Sequence, residues 1–245
     1  MDMSTVKHTV SSFDADLNLL RDHLLQMGTL VDAAFVDATR ALVTHDAAAA
    51  VKVIEQDAQV DALEALVEHE AVQIIARRQP LAVDLRDIMA AVRIGSELER
   101  IGDLAKNIAK RAVALGSEPP HQDLAARLQQ MSTLAQTQLR HVLAAYADRD
   151  ATRAMAIRDA DSEIDLLNTA FFKESIEYIA RTYKDIAGTA HLLFCAKNIE
   201  RIGDHVTNIS EDVYFIVTGA IPAEERKKLD TSSTLHPGSD PNTGT

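Results

Sequence analysis

Glu99-Arg100-Ile101-Gly102-Asp103 recurs residue for residue as Glu200-Arg201-Ile202-Gly203-Asp204, and Asn107 recurs as Asn208. Five consecutive identities at a separation of 101 mark a duplication, and a duplicated chain is expected to fold as two like halves. In each copy the Glu, the Asp and the Asn stand four residues apart, so on a helix they form one polar stripe. Beside it runs an apolar stripe: Leu98, Ile101 and Ala105 in the first copy, Ile199, Ile202 and Val206 in the second. Carboxylates at the edge of a buried seam need a counter-charge, because burying bare charge is costly.

The rest of the chain is written in the helical period. Phe13, Leu17, Leu20, Leu24, Met27, Val31, Phe35, Ala38 and Leu42 predict one amphipathic helix ending near His45. Asp46 then reads as an N-cap for a second helix to about Arg78. Pro80 breaks it, and a third helix is expected from about Val83 to Leu115. The pattern then repeats, with Asp46, Asp57 and Asp61 answered by Asp150, Asp161 and Asp165 at a separation of 104. Helices are expected from about Asp123 to Ala147, Ala151 to Arg181 and Asp185 to Val217. The fold class is therefore all-α: two tandem three-helix bundles, six long helices in all. The expected organisation is an N-terminal segment 1–12, a first bundle 13–116, a linker 117–122, a second bundle 123–221 and a polar, disordered tail 222–245.

Composition agrees, since Trp is absent and Gly (9) and Pro (6) are few in 245 residues, which argues against sandwiches and barrels. A net charge of -12 disfavours nucleic acid as a partner, because phosphate contacts need a basic surface. The single Cys195, in an apolar run, reads as a buried small hydrophobe and suits a reducing, cytoplasmic setting. No stretch approaches the length of a membrane helix.

If the second and third helices form a hairpin about Pro80, residues equidistant from position 80 face each other. Asp57 then faces Asp103, and Asp61 faces Glu99. In the second half Asp161 faces Asp204 and Asp165 faces Glu200, both pairs centred between Thr182 and Tyr183. Two unit charges about 4 Å apart repel by about 4 kcal/mol at an effective dielectric near 20. Four carboxylates per site therefore call for a cation, and all-oxygen sites suit Mg, Mn, Ca or Fe. The plainer alternative is that the acids point outward and pair with Arg100, Arg201, Lys106 or Arg158. His205, about 100° round the helix from Asp204, is at most an auxiliary ligand. The remaining histidines show no ligand spacing, and no Glu-x-x-His motif, P-loop or nucleophile elbow accompanies the acids. Gly102 and Gly203 cost a helix up to about 1 kcal/mol each, for which close helix packing is the usual explanation and room for a cation or partner beside the carboxylates the other.

At these residues the chain resembles the PhoU family of phosphate-uptake regulators. The resemblance runs from about Phe13 to Ala220. It rests on the paired Glu-Arg-Ile-Gly-Asp-x-x-x-Asn motifs, on Gln79-Pro80-Leu81-Ala82-Val83-Asp84-Leu85-Arg86 and on Ser210-Glu211-Asp212-Val213-Tyr214-Phe215. It implies three-helix halves and, as in some members, divalent or trivalent metal ions, iron or zinc, on Asp57, Asp61, Glu99, Asp103, Asp161, Asp165, Glu200 and Asp204. Asn107, Asn208, Arg100, Arg201 and Arg86 are the auxiliary or partner-binding candidates. Arg86 has Ala187 at the equivalent place, so whatever it does is done once.

The implied role is that of a non-catalytic adaptor, a negative regulator of phosphate uptake and of the phosphate-starvation response. Its implied partners are the ATPase subunit of a phosphate ABC transporter and a phosphate sensor histidine kinase. It would be homodimeric and reach the membrane only through those partners. The competing reading is a carboxylate-bridged metalloenzyme of phosphohydrolase type, in which bound ions activate water.

Overall fold

The computed structural model describes residues 3–116, 121–182, 185–223, 226 and 228–232, with side chains from Ser12 onward. Its helices are α1 (Met3–Thr44), α2 (Ala47–Arg78), α3 (Val83–Leu115), α4 (Gln122–Asp148), α5 (Ala151–Ala160), α6 (Ser162–Thr182) and α7 (Ile186–Thr218). No strand occurs among the described residues.

The helix starts are set by repeated chemistry. Asp46 and Asp150 each accept a hydrogen bond from the backbone N–H three residues on, at 2.9 Å, satisfying one of the donors that a helix N-terminus leaves open. Asp185 caps α7 in the same way through Gly188 N. The α1–α2, α2–α3 and α4–α5 corners turn on His45, Gln79 and Arg149, all at positive φ.

Two departures from the sequence expectation stand out. The first helix begins at Met3, ten residues before Phe13. The helix expected over 151–181 is interrupted at Asp161. The cause lies on another helix, because Gln138 Nε2 of α4 donates to the Ala160 carbonyl at 3.2 Å. In an unbroken helix the Ile164 amide would use that carbonyl. Instead it donates to Asp161 O at 2.9 Å, a tighter 3₁₀-type turn.

Helices α1–α3 form one bundle and α4–α7 the other, with one apolar core continuous through both. The bundles meet along two antiparallel seams. On one, α1 lies against α4, with Ser132 Oγ donating to Thr39 Oγ1 at 3.0 Å and Arg140 paired with Asp32 at 2.9 Å. On the other, α3 lies against α7, with Arg93 on Asp212 at 2.6 Å and Arg111 Nη1 3.2 Å from His191 Nδ1. Leu98, Ile101, Ala105, Ile199, Ile202 and Val206 are all fully buried, as their stripe requires. Among the described residues no helix is long and apolar enough to cross a membrane.

The linker positions 117–120, the second hairpin turn at 183–184 and the tail expectation for 233–245 lie outside the described residues. Part of the tail does not: Arg226 and residues 228–232 are laid against α6 and α7, where free polar chain was expected.

Candidate functional site

The equidistance rule places acid opposite acid in both halves. In the first, Lys106 Nζ donates to Asp57 Oδ2 and, at 3.1 Å, to Asp103 Oδ1, so one ammonium bridges α2 and α3. These two contacts hold the Lys106 proton well above the ordinary lysine range, with Asp57 the larger cause. One turn away the Glu99 carboxyl is raised, by burial first and then by Asp103, Glu64, Asp61 and Asp57. Glu64 is raised likewise, by burial and by Glu68 and Asp61, against Arg100 and a hydrogen bond with Ser96. The first cluster thus gathers five acids, one more than the sequence reading counted. Glu64 and Ser96 are themselves equidistant from position 80, so one further step along the same register finds the missing member.

In the second half the corresponding pair again shares one cation, and that cation comes from elsewhere. Arg226 Nη2 donates to Asp161 Oδ2 and, at 2.6 Å, to Asp204 Oδ1. Lys228 Nζ reaches Asp204 Oδ2 at 3.0 Å, and the Leu229 amide donates to Asp165 Oδ2 at 2.7 Å. Lys197 Nζ lies 2.8 Å from Glu200 Oε2 and 2.9 Å from Asp230 Oδ2. The position answering to Lys106 is Thr207, which is buried and carries no charge. This signal was present in the sequence as a missing lysine in one half and a basic run, Arg226-Lys227-Lys228, just beyond it.

The second cluster is also the drier one. Asp161 and Asp165 are 1% exposed and Glu200 is 2% exposed, whereas Asp57 is 7% exposed and Asp61 lies open to solvent. Among the described residues Asp161 Oδ1 and Asp165 Oδ1 have no hydrogen-bond donor. Burial raises the Glu200 carboxyl, with Lys197 opposing and Asp204 adding to the rise. Gly203 makes the depth attainable: a Cβ there would stand 2.6 Å from Asp161 Oδ1 and 3.0 Å from Ile164 Cδ1. At Gly102 the same atom would meet Val60 Cγ1 at 3.3 Å and Asp57 Oδ1 only at 3.8 Å.

The donor set and the two orphaned buried oxygens suit a hard cation. The chain's own cations already hold the facing aspartates, however, and among the described residues no three His, Cys, Asp or Glu side chains converge to hold an ion. In the first half the plainer alternative holds in part, since Asp61 and Asp103 are exposed and Lys106 makes the interhelical pair; in the second Asp161, Asp165 and Glu200 are buried, and Arg158 pairs with Glu211 at 2.7 Å.

The auxiliary candidates go elsewhere. Each four-residue step advances about 40° round a helix, so the Asn of each motif lies about 80° from its Glu. Asn208 has accordingly swung onto the α3–α7 seam, where its Nδ2 donates to Glu97 Oε2 at 3.1 Å. His205 Nδ1 stands 2.6 Å from the same oxygen, which spends His205 on the seam and removes it as a ligand of Asp204's site. Burial opposes, but these two partners hold the Glu97 carboxyl below its ordinary range. Asn107 lines a groove with Lys110, Arg111 and Phe194. Arg100 and Arg201 are exposed, and Arg86 packs its guanidinium on Gly219 at the end of α7. Cys195 is fully buried and its thiol is pushed up to about 12 by that burial, which makes it a packing residue.

Comparison with known proteins places these halves. Residues 24–112 and 128–213 each match the PhoU domain. The chain is 45% identical over 228 residues to a phosphate-specific transport system accessory protein PhoU homolog of Rhizobium meliloti (strain 1021), covering 93% of this chain and 96% of the relative. A protein of the same description from Caulobacter vibrioides (strain NA1000 / CB15N) is 40% identical over 227 residues, with 93% and 99% covered. Among solved structures, PhoU from Pseudomonas aeruginosa superposes with a TM-score of 0.82 at 34% identity, covering 85% of this chain and all of the other. The phosphate transport system regulatory protein PhoU from Streptococcus pneumoniae gives 0.80 at 28% identity, with 86% and 99% covered. Two matched domains, two symmetric carboxylate hairpins and near-complete coverage of its relatives make this chain a member of the PhoU family.

Proposed function

We propose that this protein is an accessory regulator of a phosphate-specific ABC transporter, one that restrains phosphate uptake and the phosphate-starvation response when phosphate is plentiful. It acts as an adaptor in the cytoplasm between the transporter's ATPase subunit and a sensor histidine kinase, and it catalyses no reaction itself. The observation that carries this is the match of both halves, over nearly the whole of the relatives' length, to proteins described as accessory to that transport system. Deleting the gene is expected to raise phosphate uptake and to switch on starvation genes in phosphate-replete cells. Unchanged uptake and unchanged expression would overturn the reading. Affinity capture from phosphate-replete cells is expected to return the ATPase subunit and the kinase, and light scattering is expected to give a homodimer.

The same reading gives the carboxylate clusters metal ions as ligands. Its support is electrostatic: five acids crowd the first helix pair while Lys106 holds two of them, and in the second half two buried carboxylate oxygens have no donor among the described residues. Elemental analysis of protein purified without added metal is expected to find iron or zinc, or another hard divalent ion, in the native chain. Asp103→Ala and Asp204→Ala should each lose metal. Equal metal content in all three proteins would refute the assignment.

A further inference from the structure

The second carboxylate cluster already holds a peptide, and the peptide is this chain's own. Arg226 bridges Asp161 on α5–α6 to Asp204 on α7, and Lys228 takes the other oxygen of Asp204. The strand of tail that follows is fixed by its backbone: Leu229 N donates to Asp165 Oδ2 at 2.7 Å and Thr231 N to Thr169 Oγ1 at 3.1 Å. Asp230 closes the seat, accepting from Thr169 Oγ1 at 3.2 Å and from Lys197 Nζ at 2.9 Å. Hydrogen bonds from the peptide backbone fix its register, while the guanidinium supplies the charge that the acids need.

We propose that Arg226 and residues 228–232 are a tethered ligand of the second cluster, competing with a metal ion for Asp161, Asp165 and Asp204. This rests on the reading that the clusters take metal ions. Three observations carry it. The half that lacks a helical cation between its facing aspartates, with Thr207 in place of Lys106, is the half in which Arg226 takes that place. Arg226 and Leu229 take one oxygen of Asp161 and one of Asp165 and leave Asp161 Oδ1 and Asp165 Oδ1 buried and, among the described residues, without a donor, so these contacts do not complete the site. The guanidinium stands between the same two aspartates that a bridging ion would join, so ion and Arg226 cannot both be seated.

The consequence is an asymmetric protein, in which a metal ion at the first cluster displaces a lysine of the same helix and at the second displaces a segment that lies outside the helices. A partner that draws the tail away would then load the second site.

The test uses the full chain carrying Asp103→Asn, which disables the first cluster, with and without the pair Arg226→Gln and Lys228→Gln. Mn²⁺ is the probe, titrated calorimetrically and by loss of the free-ion resonance signal. Removing the two tail cations is expected to tighten Mn²⁺ binding at the second cluster at least tenfold. In the Asp103→Asn chain alone, saturating Mn²⁺ is expected to speed hydrogen exchange at the Leu229 and Thr231 amides, which lose their acceptors as the tail departs. Equal affinity with and without the tail cations would sink the competition and leave the metal reading intact. Absence of Mn²⁺ binding in either chain, with no change in exchange, would sink both for this cluster. Should the double substitution prevent folding, Lys228→Gln alone, an exposed change, is expected to give a smaller tightening in the same direction.

Discussion

The two halves solve one electrostatic problem with different parts. Each sets a DxxxD helix against an ExxxD helix at the same register, and each joins the facing aspartates through a single cation. In the first half that cation is Lys106, one turn along the same helix as Asp103, and the cluster stays partly wet. In the second half position 207 is threonine, Asp161, Asp165 and Glu200 are sealed, and the cation comes from beyond the end of the last helix. A duplication thus keeps the acids in place while the source of counter-charge drifts. The copy whose neutraliser is not built into a helix is the one whose state can be altered without unfolding anything.

The widest gap between the halves should appear when each loses its cation. Arg226→Met leaves Asp161 buried with no counter-charge, and breaking a buried pair costs about 3 kcal/mol or more. Lys106→Met leaves Asp57 unpaired but 7% exposed, nearer to water than Asp161, and its second partner, Asp103, is half exposed, so a smaller loss of about 1–2 kcal/mol is expected. Urea midpoints measured in chelator give both numbers. If the lysine change proved as costly as the arginine change, the difference in burial would not be what separates the clusters.

A smaller difference is expected at the paired glycines. In Gly203→Ala the new methyl meets a carboxylate pinned by Arg226 and the end of Ile164, and overpacking of this kind costs about 1–3 kcal/mol. Gly102→Ala asks only that Val60 give way slightly, and helix propensity returns up to about 1 kcal/mol. The expected outcome is a lower melting temperature for the first variant and an unchanged or higher one for the second. Equal losses would show that both helix pairs approach equally closely.

How much of this could be read beforehand follows from where each cause lies along the chain. The caps at Asp46 and Asp150 are local, and so is the turn at Pro80, which is why helix ends and the facing of Asp57 with Asp103 were legible. Glu64 was legible too, one step further along the same hairpin. The break at Asp161 was not, because it depends on Gln138, twenty-two residues before Ala160 and on another helix. Nor was the drift of Asn208 and His205 onto Glu97, since α7 meets α3 across the duplication and no local pattern states that pairing. Arg226 and residues 228–232 were not legible for a different reason: their composition is that of free chain, and their contacts are to acids more than twenty residues away.

Protons should tell the clusters apart by the smallest margin. Glu99 and Glu200 are both held above the ordinary carboxylate range, each chiefly by burial, with acidic neighbours adding and Lys197 opposing at Glu200. A raised folded-state value means that the folded chain binds more protons than the unfolded one. Stability is therefore lost as pH rises from the ordinary range through the raised value, and it returns on acidification. Replacing either residue by Gln removes that slope and leaves a neutral side chain of the same shape. At pH 7 each variant should match or exceed the parent by under about 1 kcal/mol, and the advantage should vanish near pH 4. Glu200, sealed under the tail, should show the larger pH-dependent difference than the partly wet Glu99. Urea midpoints at pH 7 and pH 4 decide it: a slope at Glu99 as steep as that at Glu200 would mean that like-charge crowding, shared by both halves, outweighs the burial that distinguishes them.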